Sequence, residues 1–236
     1  MERLPGDFTR VLCVVAHPDD MEYGASAAVH HWTSHGVEVA YLLLTSGEAG
    51  MQSPPAVVGP LRAREQQEAC AAVGVDRLTI LDHPDGVLQP TLDLRRDIAR
   101  VIRRFKPDVV VTSTWDVEAP WGLNQADHRV AGLATLDACR DADNTWVFPE
   151  LAEDEGLAKW GPTWLLVTGS AEPTHGVPLE DADVMAAVAS LAAHTAYLAD
   201  LPDHPAPAYF IPEMLRAGGE AMGVRHAATF RAHRLR

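Results

Sequence analysis

Residues 11–20 read Val11-Leu12-Cys13-Val14-Val15-Ala16-His17-Pro18-Asp19-Asp20, and this stretch decides the fold. Val11–Ala16 is an unbroken apolar run, the mark of a strand buried on both faces of a sheet. An imidazole and two carboxylates follow at once, where such a strand surfaces. Pro18 biases His17 towards an extended backbone, so its ring can project from the strand end. Two adjacent acids in a turn point in different directions, so one can bind a metal while the other faces a bound water. Either can instead cap the helix that follows. A His/Asp pair needs a third ligand to leave a catalytic zinc with an open position. His128, in Asn124-Gln125-Ala126-Asp127-His128, is the best candidate, although an Asp-His helix start also reads as a cap.

Outward from this stretch, strand and helix signals alternate. A helix is predicted over Ala25–His35, a second buried strand over Val37–Leu44, a Gly/Pro-rich loop over 46–59 and a helix over Pro60–Val73. Strand Leu78–Leu81, helix Leu92–Phe105, strand Val109–Thr112, helix Asp127–Cys139 and strand Trp164–Thr168 follow. Asp181–Leu201 is Ala-rich and helical, and 202–212, with its prolines, reads as a surface crossing. This order predicts an α/β fold, a Rossmann-like open, mainly parallel sheet with helices on both faces. We expect one domain over 1–236, with an irregular C-terminal segment from about 202. In such sheets ligands bind beyond the carboxyl ends of the strands, where His17–Asp20, Ser46–Gly50 and Ser113–His128 all fall.

Composition narrows the function. The formal charge is −14, which repels phosphate backbones, so a nucleic-acid partner is not expected. Residues 1–8 lack a basic segment followed by an apolar core, so no signal peptide is expected. No apolar run approaches the ~20 residues of a membrane span, so stable membrane insertion is not expected either. Cys13, Cys70 and Cys139 are widely spaced in apolar surroundings and predict free thiols in the cytoplasm.

The motifs in order resemble those of the PIG-L/LmbE family of zinc-dependent N-deacetylases. Ala16-His17-Pro18-Asp19-Asp20 is similar to its signature, Thr45-Ser46-Gly47-Glu48-Ala49-Gly50 to its Gly-Glu loop, and Arg62-Ala63-Arg64-Glu65 to its Arg-x-x-Glu helix start. His83-Pro84-Asp85-Gly86 is similar to its Pro-Asp-Gly turn and Asp127-His128-Arg129 to its second metal motif. The resemblance implies one Zn²⁺ per chain on His17, Asp20 and His128, with Asp19 as general base and Asp127 orienting a neighbouring group. It implies substrate contacts from Arg62, Asp85, Glu48 and His175. The implied substrate is a small N-acylated molecule, amino-sugar-like or glycoside-type; a homo-oligomer is compatible with this.

The chain departs from the family pattern at Gln125, where a histidine is usual. Glutamine can donate a hydrogen bond to an oxyanion but supplies no proton. Further departures are Pro178, Ala187 and Ala196-Tyr197. With Gln125 unable to act, the leaving amine would take its proton from Asp19 or, second, from His175. Trp115, Trp121 and Trp146 are candidates for stacking on a substrate or for packing. Two other amide chemistries or roles stay open: cleavage of a thiol-conjugate or secondary-metabolite amide, and a non-catalytic binding protein on this fold. A dinucleotide enzyme is disfavoured, because His-Pro-Asp-Asp stands where G-x-G-x-x-G would cradle a pyrophosphate.

Overall fold

The computed structural model describes residues 1–236. Its strands are β1 (Glu2–Arg3), β2 (Arg10–Val15), β3 (Glu38–Leu43), β4 (Arg77–Ile80), β5 (Val109–Ser113), β6 (Glu118–Ala119), β7 (Gly122–Leu123), β8 (Trp164–Thr168), β9 (His175–Pro178) and β10 (Ala227–Arg234). Its helices are α1 (Ser26–Ser34), α2 (Pro55–Ala72), α3 (Leu92–Phe105), α4 (Ala126–Ala142), α5 (Glu150–Glu153), α6 (Asp181–Ala192), α7 (Thr195–Ala199) and α8 (Pro207–Met222). Eight strands form one sheet in the order β1-β9-β10-β8-β5-β2-β3-β4; β6 and β7 pair as a separate small ribbon. Strands β8, β5, β2, β3 and β4 run parallel, and β10 is antiparallel to both its neighbours.

Strand β2 explains the unbroken apolar run. Val11, Cys13 and Val15 enter one core with α1 and α6, while Leu12, Val14 and Ala16 enter the other with α3 and α4. Side chains alternate across a strand, so a strand covered on both faces needs apolar residues at every position. The chain leaves β2 through α1 to β3 on one side, and β5 pairs with β2 on the other. This reversal opens a crevice at the carboxyl ends of β2 and β5.

Several boundaries differ from expectation. Helix α2 begins at Pro55, not Pro60: Pro55 occupies the first turn, where no N–H is needed, and Pro60 is carried inside the helix. The expected helix 181–201 breaks at Ala193-His194 into α6 and α7. The segment from 202, expected to be irregular, contains α8 and β10. Pro207 starts α8 in the same way that Pro55 starts α2, and β10 inserts between β8 and β9. No helix is long and apolar enough to cross a membrane. All three cysteines are free and buried.

One buried cation ties the second core together. Arg103, 1% exposed, donates to the carbonyls of Asp141, Ala142, Asn144, Val147 and Phe148 at 2.8–3.2 Å. These include the carbonyls that the end of α4 leaves without helical partners. Asp141, Ala142 and Phe148 each keep a backbone donor, from Asn144, Trp160 and Leu151. Arg103→Met therefore leaves the Asn144 and Val147 carbonyls without one and removes five charge-assisted bonds in all, at an expected cost of about 2–4 kcal/mol. For a chain of this size that lowers Tm by roughly 5–15 °C; calorimetry checks it, and an unchanged Tm would contradict the reading.

Candidate metal centre and active site

Residues 18–25 form turns after β2, and α1 starts only at Ser26 with Ala25 as its cap residue and no side-chain capping bond. Neither Asp19 nor Asp20 therefore caps that helix, and both are free for the crevice. Asp19 has φ +93°, rare for a non-glycine residue and most tolerated by Asp and Asn. The turn is held by its own polar groups. Asp20 Oδ2 accepts the His17 backbone N–H at 2.9 Å, and Gln66 Oε1 accepts that of Asp19 at 3.0 Å.

Across the crevice α4 presents His128. Its Nε2 lies 3.0 Å from Asp20 Oδ1, while its Nδ1 contacts Asn124 Oδ1 at 3.1 Å. The Asn124 amide in turn donates to the Thr114 and Asp116 carbonyls. This chain of contacts fixes the imidazole with Nε2 towards Asp20. His17 Nδ1 lies 3.7 Å from Asp20 Oδ2. One donor atom from each of His17, Asp20 and His128 falls within 4.8 Å of the others.

A second group, His17 with Asp85 and Asp127, meets the same distance criterion, but its oxygens are committed. Asp127 is fully buried, and its two oxygens accept the Gly86 and Leu88 N–H groups at 2.7 and 3.2 Å. Asp85 Oδ2 accepts the Ala49 N–H at 2.8 Å. Asp85 Oδ1 and Asp127 Oδ2 face His17 Nε2 at 2.9 and 3.5 Å. Carboxylates behind a ligating histidine are the usual support of a metal site. The first group, two imidazoles and one carboxylate bordering an open cavity, is the donor set that fits a catalytic metal.

The electrostatics agree. Four carboxylates, Asp19, Asp20, Asp85 and Asp127, crowd the end of β2, and Arg62 is the one guanidinium paired into them. Burial opposes protonation of His17, but Asp127, Asp20 and Asp85 outweigh it and push the imidazole up to about 12. Burial would raise Asp20, yet the His128 and His17 imidazoles hold it well below the usual carboxylate range. Burial pushes Asp19 up to about 6 against the pull of Arg62. The carboxylates thus favour positive charge at this point, which a bound divalent cation would supply in place of protons on the imidazoles.

Arg62 sits beside Asp19. Its guanidinium lies 3.0 Å from Asp19 Oδ1, donates to the Pro18 and Gly47 carbonyls at 2.5 and 3.1 Å, and stacks over Tyr197 at 4.1 Å. Gly47 and Gly50 leave room for it, since a Cβ at either would collide with the guanidinium. Expected as substrate contacts, Arg62 and Asp85 both border the cavity, but most of their polar atoms are engaged with the protein. Glu48 clamps Ser46 Oγ and the Asp85 N–H and does not line the cavity. His175 is not brought to the site: it lies on β9, between β1 and β10, packed against Trp164 and 3.6 Å from Glu2. Gln125 does line the cavity. Of the three tryptophans only Trp121 does, its indole lying over Gly169; Trp115 stacks on His233 and Trp146 is exposed.

Behind Asp19 lie four buried residues, Glu22, Gln66, Ser190 and His194; of these the sequence pattern pointed only to His194, without a role, and the other three were missed. Gln66 links Asp19 to Glu22 Oε1 (3.3 Å), Ser190 Oγ donates to the same oxygen (3.0 Å), and His194 Nε2 lies 3.7 Å from Glu22 Oε2. A signal existed for Gln66, which follows Arg62 by four residues and so shares its helix face. Glu65 accepts the Ala196 and Tyr197 N–H groups, fixing the start of α7 over Arg62. Gln66→Leu strands the buried Asp19 N–H. The expected cost is about 1–3 kcal/mol, with kcat reduced more than KM changes; thermal melts and steady-state kinetics on a substrate of the chain check both.

An open, mostly parallel α/β sheet with a His–Asp–His donor set at its switch point defines a class of proteins equipped to hold a metal ion in a crevice. The family model for GlcNAc-PI de-N-acetylase, PIG-L, matches residues 12–139, and the chain belongs to that family. A diacetylchitobiose deacetylase from Thermococcus kodakarensis is 32% identical over 137 residues, 56% of this chain and 49% of that protein. The chain spans about half the length of curated relatives it matches, 49%, 55% and 56% for three of them. Among solved structures, an N,N'-diacetylchitobiose deacetylase from Pyrococcus horikoshii superposes with a TM-score of 0.84 at 22% identity, covering 97% of this chain and 85% of that one. A 4-carboxy-2-hydroxymuconate hydratase from Pseudomonas putida superposes at 0.72 with 16% identity, covering 97% of both chains. The fold is thus shared by proteins of different reaction class, and the reaction has to be argued from the site.

Proposed function

We propose that this chain is a zinc-dependent hydrolase that removes an N-acetyl or other small N-acyl group from an amino-sugar-like or glycoside-type substrate. His17, Asp20 and His128 would hold one zinc ion. When bound, the ion supplies a Lewis acid for the amide carbonyl and lowers the pKa of a water. Asp19 takes a proton from the attacking water. Arg62 holds its Oδ1, which leaves Oδ2 to accept the proton. The same oxygen then returns the proton to the leaving amine. Gln125 is placed on the cavity wall, where its amide can donate to the carbonyl oxygen. Asp85 and Asp127 orient His17, a role for Asp85 beside the substrate contact first expected of it.

The observation that carries this reading is the triad of donors within 4.8 Å beside Asp19 on one cavity wall, and the family relationship supports it. The test is metal analysis of the purified protein, with mass detection of acid and amine products from a panel of N-acyl amino sugars and glycosides. One zinc per chain and chelator-sensitive deacylation are expected. Absence of any divalent ion together with chelator-resistant activity would overturn the reading.

A further inference from the structure

The break between α6 and α7 aims one side chain at the base. His194, wholly buried, stands at the turn with its Nε2 3.7 Å from Glu22 Oε2. Helix α7 follows with no side-chain cap of its own. A helix start leaves its first N–H groups without partners, and here the Glu65 carboxylate accepts those of Ala196 and Tyr197. Glu65 lies three residues beyond Arg62 on α2, so the two side chains are neighbours on one face of that helix. A single helix therefore holds the guanidinium beside Asp19 and also the segment that carries Tyr197 above it.

Tyr197 is one of the positions at which the chain departs from its family's pattern, so its role has to be read from its surroundings. The centre of its ring is 4.1 Å from Arg62 Cζ, well inside the ~6 Å reach of a cation–π contact. Its hydroxyl faces the Asp19 carboxylate. Burial, and after it that carboxylate, hold the phenol well above its usual range, so it stays protonated and acts as a donor. The side chain is half-buried and borders the cavity.

Arg62 is not fixed by hydrogen bonds alone. Its Nη atoms reach Asp19 Oδ1 and the Pro18 and Gly47 carbonyls, but Nε has no acceptor although the residue is buried. Beside Nη1 stand Gly47 and Gly50, which offer no side chain to restrain it. The flat face of the guanidinium is where a restraint remains possible, and the Tyr197 ring lies on it.

We propose that Tyr197 is a positioning residue for Asp19: its ring clamps Arg62 against Oδ1, and its hydroxyl steadies the same carboxylate. The effect on turnover rests on the hydrolase reading, whereas the clamp is open to a measurement that needs no substrate. Tyr197→Phe keeps the ring and loses the O–H. Its kcat is expected to fall about tenfold, the weight of a hydrogen bond to a charged group, with KM changed by less than about twofold. Tyr197→Leu loses both parts and is expected to cost about 100-fold or more in kcat. The step from Phe to Leu isolates the ring: it is expected to cost about tenfold with Arg62 in place and less than about twofold in Arg62→Gln, which has no cation to hold.

Phenylglyoxal labelling of the substrate-free protein, mapped by mass spectrometry, supplies the second readout. Arg62 is expected to be protected in the wild type and in Tyr197→Phe, and labelled in Tyr197→Leu; thermal melts confirm that the variants fold. Equal protection of Arg62 in Tyr197→Leu, or wild-type kcat in either variant at position 197, would overturn the proposal. So would a loss confined to KM, which would make Tyr197 a substrate contact. If Arg62 becomes labelled in Tyr197→Leu but the wild type deacylates nothing, the clamp stands and the hydrolase reading falls. Deacylation that neither variant slows gives the reverse.

Discussion

Asp19→Asn is expected to reduce kcat by about 10²–10⁴-fold, the usual contribution of a general acid–base group, while the chain still binds one metal ion. The substitution suits this position for structural reasons. Asp19 has φ +93°, and Asn tolerates the left-handed region nearly as well as Asp. The amide oxygen can still accept from Arg62, whose guanidinium is 3.0 Å from Asp19 Oδ1, so a buried cation is not abandoned. The backbone N–H keeps its bond to Gln66. What the variant loses is the ability of Oδ2 to carry a proton. Alanine is the poorer test: it would add backbone strain and an unpaired Arg62 to the loss of the base, and a dead enzyme would be uninformative. Parallel measurements of kcat, zinc content and Tm decide the matter. Turnover within tenfold of wild type, with zinc bound, would remove Asp19 from the base role.

Much of the fold was legible because each core strand obeys one rule. Val11–Ala16 and Val109–Val111 are apolar at every position because helices cover both sheet faces. The donor triad was legible for a related reason. Polar residues that interrupt buried strands at their carboxyl ends have few roles, and His17, Asp20 and His128 do converge. The C-terminal third was not legible. A Pro-rich entry at 202–207 disguised α8, in which Pro207 sits in the first turn, where it is tolerated, and Pro212 is carried inside the helix. Strand β10 is antiparallel at positions that no strand–helix alternation announces. The partners of Arg62 and Asp85 were not legible, because a motif specifies a residue and not what it touches: both border the cavity, as a substrate contact would, but Asp85 also faces His17 and Arg62 also pairs with Asp19.

The sharpest test of the site sets two acids 65 positions apart in the chain against each other. Asp20→Ala is expected to abolish stoichiometric metal binding and to lower activity by roughly 10³-fold or more, since several kcal/mol of transition-state stabilisation would leave with the ion. Asp85→Asn is expected to retain the metal with affinity weakened by about 10–100-fold, the range for groups that orient a ligand without touching the metal. The asymmetry follows from geometry. Asp20 lies between both imidazoles, 3.0 Å from His128 Nε2 and 3.7 Å from His17 Nδ1, whereas Asp85 faces only the far nitrogen of His17, at 2.9 Å. A carboxamide at 85 keeps one of the two accepting oxygens, so it can accept from that nitrogen or from the Ala49 N–H, which now meet separate carboxylate oxygens, but not from both. Excess zinc should therefore restore turnover to Asp85→Asn and not to Asp20→Ala. Were Asp85 a substrate contact alone, Asp85→Asn would raise KM with metal affinity unchanged. Were the metal held instead by His17, Asp85 and Asp127, the two phenotypes would exchange places. Competition titration against a chromophoric chelator, run beside steady-state kinetics at fixed free zinc, separates these three outcomes.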